Sequence, residues 1–328
     1  MEVSNARPLA IFTGYMVLAA ALTAKSFAII RSQRKRNASS PPQDGSAGSS
    51  ARRRAISVFS LLAALSLATT WYHMFRFFEW SYDQWAITHP VVAATTENPE
   101  GLRLGEWLRD TSLFKQAWAS TLETGPRAWW SLQIFGFCAN WSVLLAVQAR
   151  KRHIPHAWIF VLLGQVVAIS FATNLSFLAI LCSDVLGEKV SKEAKAESVR
   201  KDKGVTPSSV SAHSVILVVT LLWATSIPSA IGKPGFLLLL LGPHLLAFFP
   251  LILNKLLPSK VLSEPARFWT VASMVWVLAV AFKGVVDESE SLNIVIRTLY
   301  EHPAVSSVGW DVICCWITFA AWFFIGVA

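Results

Sequence analysis

Runs of about 20 consecutive apolar residues recur along this 328-residue chain, and they limit its fold more than any other feature. A helix of that length covers about 30 Å, the thickness of the hydrocarbon core of a bilayer. Lipid offers no hydrogen bonds, so a backbone crossing it must bond to itself. Runs this long and continuous do so as helices rather than as barrel strands. Composition agrees. Only 15% of residues are charged, against about 25% in soluble domains, and the mean hydropathy is +0.47. The expected fold is all-α, a polytopic transmembrane helical bundle of about eight spans forming one integral-membrane domain.

The apolar blocks place the spans at about 9–30, 55–78, 128–148, 157–182, 213–231, 235–253, 266–286 and 308–328. Lys25 interrupts the first, and Pro228 breaks the end of the fifth. Pro243 and Pro250 predict a kink in the sixth. No internal repeat is visible, which weakens an inverted-repeat transporter. The first block lacks a basic leader and exceeds the usual length of a signal-peptide core, so it reads as a retained span. Cys138, Cys182, Cys314 and Cys315 lie in or beside spans without zinc-site spacing, and read as packing residues. The sequons at Asn37, Asn140 and Asn174 fall on the cytosolic side or inside spans, so none is expected to carry glycan.

Orientation follows from Lys and Arg in the short loops. Segment 31–54, flexible and Ser/Gly/Pro-rich over 38–50, holds seven basic residues against Asp44. Arg150, Lys151 and Arg152 form the next basic loop. Both read as cytosolic, which makes 79–127 lumenal. The second half obeys the rule poorly, because loop 183–211 places six basic residues on the expected lumenal side. The net charge of +9 comes mostly from the two cytosolic loops. Topology and anionic lipid explain it, and no nucleic-acid partner is expected.

The chemistry concentrates beside span two. Tyr72, Arg76, Glu79 and Asp83 are spaced four, three and four apart, one stripe of a continued helix. An Arg at membrane depth is expensive and normally faces the bundle interior or a wet cavity. The stripe is therefore either an interface anchor with an Arg76–Glu79 ion pair or the polar rim of a lumenal pocket. Paired with Arg76, Glu79 stays ionised, which leaves Asp83 the better proton donor. Within the lumenal loop 86–127, Glu106–Trp118 has a partial helical period, with Glu106 and Asp110 four apart. It is either a solvated amphipathic helix or a lid that supplies an acid. The 15 Trp belong partly to the interfaces. Trp141, Trp223, Trp276 and Trp316 lie deeper and either pack the bundle or wall a cation-sheltering cavity. Gln133, Asn140, Gln165, Asn174 and His244 are intramembrane polar groups of the kind that join helices. Asp311 is a further acid, on the expected cytosolic side. The acidic run 287–290 lacks the spacing of a Mg²⁺-diphosphate site, and no phosphate loop, dinucleotide fingerprint or zinc-protease motif occurs.

Trp71–Trp85 followed by Trp107–Trp118, in a Trp-rich chain of this layout, resembles the fungal integral-membrane terpene cyclases of meroterpenoid biosynthesis. The resemblance is to the ascochlorin/ascofuranone and macrophorin kind. The likeness covers most of the chain by span layout and rests at residue level on those two blocks. It implies metal-independent, cofactor-free cyclisation in secondary metabolism. A carboxylic acid would protonate the epoxide or olefin of a farnesyl chain borne on an aromatic or polyketide head. Asp83, Glu79, Glu106 and Asp110 are then the candidate acids, and Tyr72, Arg76, Trp80 and Trp107 the candidate substrate contacts. The implied partners are a prenylated aromatic small molecule, the lipid bilayer (the endoplasmic reticulum by default) and other membrane enzymes of the same pathway. The competing expectation is a non-enzymatic multi-pass transporter or receptor.

Overall fold

The computed structural model describes residues 5–38, 46–90, 103–183, 211–258, 262, 267–288 and 291–325. Most of the 183–211 loop and of the 38–50 linker therefore lies outside the described residues. Among the described residues there is no strand. The helices are α1 (Ala6–Ala38), α2 (Ser46–Thr88), α3 (Leu104–Asp110), α4 (Leu113–Leu122), α5 (Gly125–Lys151), α6 (Trp158–Val166) and α7 (Ile169–Cys182). They continue as α8 (Ala212–Ser226), α9 (Phe236–Leu246), α10 (Phe249–Leu256), α11 (Arg267–Glu288), α12 (Asn293–Glu301) and α13 (Pro303–Ile325).

Five of these helices, α1, α2, α5, α11 and α13, are each long and apolar enough to cross a membrane. The pair α9 and α10 makes a sixth, bent by 48°. Pro243 lies inside α9 and Pro250 opens α10. Each removes a backbone donor, so the expected kink falls between them. The spans differ in what they face. Of the apolar window of α5, 94% is buried, against 22% for α1 and for α11. α5 is the central post, and the outer helices turn Ile11, Leu61, Phe268 and Phe324 outward, as a bilayer requires.

Small residues let the helices close on that post. A side chain at Gly125 would meet the Gly284 carbonyl at 2.0 Å, so α5 and α11 approach backbone to backbone there. Intramembrane amides join helices as expected: Asn140 donates to Ser273 (3.0 Å), and Asn174 donates to Thr318 (3.0 Å) and Ser66 (3.3 Å).

The fourth apolar block departs from a simple span. It divides into α6, nine residues, and α7, fourteen residues, with Val167 and Ala168 between them. α6 leaves the basic end of the bundle after Arg152 and rises until Gln165 donates to Cys138 of α5 (3.2 Å). α7 then descends again. Its start is bonded to Asp311, its middle to Ser66 and Thr318, and its end to Arg52. The Arg52 guanidinium donates to the carbonyls of Leu181 (2.6 Å) and Ser183 (3.2 Å). Ser183 therefore lies at the same end as Arg52, and block four is a re-entrant hairpin rather than a crossing.

This corrects the topology of the second half. With Ser183 at the basic end, the Lys/Arg-rich segment that follows it leaves from that end, and its conflict with the positive-inside rule disappears. α8, a shorter helix, runs antiparallel to α5. Leu217 and Leu221 cluster with Leu132 and Ala139, then Ala224 and Ile227 cluster with Ala128 and Phe135. α9–α10 returns toward the basic end, where Asn254 donates to the Ala146 carbonyl (2.7 Å). α13 starts at the opposite end, beside the outer half of α2, where Ser307 donates to the Thr70 carbonyl (3.1 Å). Asp311 thus lies in the half nearer that opposite end. The eight-span reading placed it on the cytosolic side because it counted block four as a crossing.

Candidate functional site

A cavity of about 620 Å³ occupies the half of the bundle away from the basic loops. Its origin is local. A helix leaves its first backbone N–H groups without partners, and α7 begins inside the bundle with no side-chain cap of its own. Asp311 reaches across from α13 and supplies both acceptors. Ile169 N–H donates to Oδ2 (2.9 Å) and Ser170 N–H to Oδ1 (2.8 Å). A carboxylate at a helix N-terminus also matches the positive end of the dipole, as Arg52 matches the negative end at Leu181–Ser183. Every residue of α7 is buried, so these end charges do what water does for an exposed helix.

The hairpin tip, from Gln165 to Ile169, forms the floor of the cavity together with Asp311. Phe12, Phe77, Phe78 and Phe135 contribute aromatic walls. Tyr15 of α1 holds the tip by donating to the Val166 carbonyl (2.8 Å). On one side stands His244 of α9, its ring set edge-on to Trp118 (5.4 Å) and Phe135 (5.6 Å). His244 Nδ1 is hydrogen-bonded to Gln165 Oε1. Among the described residues that line this cavity, Asp311 is the one carboxylate.

Helices α3 and α4 roof the cavity through Leu108, Leu113, Phe114 and Trp118. The two helices lie across the mouth, and their fastening is polar. Trp107 Nε1 donates to Ser81 Oγ (3.2 Å), and Ser81 donates to Gln116 (2.7 Å). Trp85 Nε1 donates to Asp110 (3.2 Å), and the Arg103 N–H donates to the Tyr82 hydroxyl (3.1 Å). The Arg109 guanidinium, helped by the Trp85 N–H, holds the Asp110 carboxyl below the usual carboxylate range.

None of the eight site residues expected from the sequence lines this cavity. Tyr72, Arg76, Glu79 and Asp83 do share one stripe, but it faces away from the bundle. Arg76 pairs with Glu79 at 2.6 Å with both side chains 57% exposed, and Tyr72 and Asp83 are exposed. The physical reason is that a helix buries one face. Here Phe77, Ser81 and Trp85, four apart, are almost fully buried, and the polar stripe is left outside. Trp80 stacks edge-on against His302 (4.3 Å). Glu106 pairs with Arg103 (3.3 Å), and Trp107 and Asp110 fasten the lid. The deep Trp side chains are also outside the cavity lining. Trp141, fully buried, bonds Ser176 (3.0 Å), and Trp316 bonds Gln133 (3.0 Å).

At the end of α12, His302 serves two helices. Extended at φ −140° and ψ 128°, it closes α12 and precedes Pro303, the first residue of α13. Its Nδ1 accepts the Ala304 N–H (3.2 Å). Burial, with the nearby Arg127 charge, pushes its pKa down to about 4, against a smaller opposing pull from Glu301. The imidazole is therefore neutral at physiological pH.

Asp311, His244 and Gln165 are polar groups of the cavity that sequence reasoning underweighted. One signal was available. Asp311 sits inside an otherwise apolar block of α13, where a carboxylate is costly unless something specific receives it. Compared with known protein families, curated proteins and solved structures, the chain finds no match in any of the three.

Proposed function

We propose that the chain is a membrane-embedded terpene cyclase that folds a prenyl chain inside this cavity. The observation that carries the reading is the cavity itself: about 620 Å³, walled by aromatic rings, with one carboxylate in its floor. A cavity of that size accommodates a drug-sized apolar ligand, and aromatic faces shelter developing positive charge. The substrate in this reading is a farnesyl-type chain on an aromatic or polyketide head, reached from the bilayer of the endoplasmic reticulum. In this reading Asp311 takes up a proton before the substrate binds, and in that neutral form its carboxyl protonates the terminal epoxide or olefin. The chain closes on its own double bonds through carbocations, and the last cation returns a proton to the Asp311 carboxylate. The product is an isomer of the substrate. The mouth carboxylates Asp83, Glu79, Glu106 and Asp110 pass their expected acid role to Asp311.

The test supplies microsomes bearing the protein with an epoxyfarnesyl phenol and its olefin analogue, and looks for a cyclised product of unchanged mass. Asp311→Asn should cut conversion by a factor of about 10² or more, the usual worth of a positioned acid. Absence of product from both substrates, with folded protein present, sinks the cyclase.

A second reading has its own observation. The carboxylate of Asp311 already accepts two backbone N–H groups at the start of a buried half-helix. Helix breaks of this kind build binding sites in transporters. A protein that binds the same apolar ligands without converting them fits this non-enzymatic alternative.

A further inference from the structure

We propose that Lys115 holds the head of the cavity's ligand, and that this ligand is an amphiphile with an anionic head, a carboxylate or phosphate, on a long apolar tail. The site belongs to the cavity of the proposed function, and it rests on the reading that this cavity takes the ligand.

The cavity has unlike ends. Its floor carries Asp311, the one carboxylate among the described residues that line it, and its roof carries Lys115, the one cation among them. Lys115 stands in the first turn of α4 and is exposed. Two nearby cations of the roof are already engaged. Arg103 pairs with Glu106 (3.3 Å) and Arg109 with Asp110 (2.8 Å). Lys115 takes part in none of the ion pairs among the described residues. Ser112, three residues earlier, also lines the cavity and is exposed, and its side chain makes no cap hydrogen bond with α4. An ammonium on a flexible four-carbon stem turns readily to an acceptor at the mouth. A bond between an ammonium and an anion is also stronger than one between neutral groups.

The way in for the tail is marked by exposure. Ile11 of α1 (64% exposed), Phe114 of α4 (53%) and Leu237 of α9 (38%) line the cavity and are also open to the outside, so the cavity opens beside them. α1 and the α9–α10 pair have the length and apolarity of spans, which turns this opening toward hydrocarbon rather than water. An apolar tail passes through it from the bilayer. The charged head stays back at Lys115, since Lys side chains reach the head groups while their stems lie on apolar surface. The floor offers an anionic head no cation among the described residues. The tail therefore enters first, and its far end is the part that reaches Asp311.

The experiment follows binding of 4-dodecylbenzoate and of its neutral amide to the full chain in phosphatidylcholine nanodiscs. Equilibrium dialysis at about pH 8 keeps the carboxyl head ionised, and uptake by empty nanodiscs is subtracted. Wild-type protein should prefer the carboxylate by about tenfold, the scale of one hydrogen bond to a charged group. Lys115→Gln should abolish that preference and Lys115→Arg should keep it. The position is exposed, so both variants should fold. 4-Ethylbenzoate, a head without a long tail, should fail to compete at equal concentration. Phosphatidylglycerol nanodiscs identify the source of the anion. A preference that vanishes there assigns the site to an anionic lipid head, and one that persists assigns it to a free amphiphile; both uphold the site. Equal affinities in the wild type overturn it and leave Lys115 an interface anchor. A preference that survives in Lys115→Gln overturns it too, as does competition by 4-ethylbenzoate. Conversion is measured separately in microsomes. A carboxylate preference without turnover sinks the cyclase and leaves the Lys115 site standing, whereas turnover without the preference overturns the Lys115 site alone.

Discussion

The hairpin tip and the outer end of α2 are both charged, and the protein treats them in opposite ways. At the tip, Asp311 is 7% exposed and each of its oxygens receives a backbone N–H. At the end of α2, Arg76 and Glu79 hold each other at 2.6 Å while more than half of each side chain is exposed. Both arrangements satisfy their charges. Only the first removes charge from solvent, and only there does the position of a carboxylate determine where a helix begins. The lesson is that a dense cluster of acids, Arg and aromatics marks an interface, whereas a single acid in an apolar block marks an interior demand.

The comparison can be broken first at the level of topology. A protease-cleavage tag inserted within 184–210 should be cut from the same side as one inserted beside Arg150–Arg152. Cleavage from the opposite side would mean that α6 and α7 cross the membrane, and would remove the hairpin tip altogether. This readout is all or none.

Stability gives the next test. Asp311→Ala strands the N–H groups of Ile169 and Ser170 at the buried start of α7. The expected loss is about 3 kcal/mol, the scale for removing a charged acceptor from buried donors. Thermal unfolding in detergent measures it, and a loss below about 1 kcal/mol would show that the tip does not depend on Asp311.

The smallest effect is expected at the other end of the comparison. Glu79→Ala breaks an exposed ion pair and should cost at most about 1 kcal/mol. Asp83→Ala should cost less, and both should retain conversion within about twofold of wild type. A large loss of conversion in either would return the acid to the mouth and sink the assignment to Asp311.

Much of the fold was legible in the residues. Helix-length apolar blocks, the Pro243/Pro250 kink, the helical period of Glu106–Trp118 and the helix-joining amides all follow from period, length and local backbone chemistry. The orientation conflict at 183–211 was legible too, as a conflict. Its resolution was not, because 157–182 is long and apolar enough to cross and nothing local forces it back. The α2 stripe illustrates the same limit. Spacing shows that Tyr72, Arg76, Glu79 and Asp83 share a face, but two faces compete for the interior. The one carrying Phe77, Ser81 and Trp85 fits the lid and core.

By itself the sequence determined an all-α bundle with the length and apolarity of membrane spans, because backbone bonding in lipid leaves a helix-length segment few alternatives. The tertiary structure alone decided that block four turns back on itself and that Asp311 receives its broken end. It also decided that His244 meets Gln165 across the cavity. Those outcomes depend on groups 79 to 142 residues apart in the chain, and no local pattern records which distant partner satisfies a buried donor.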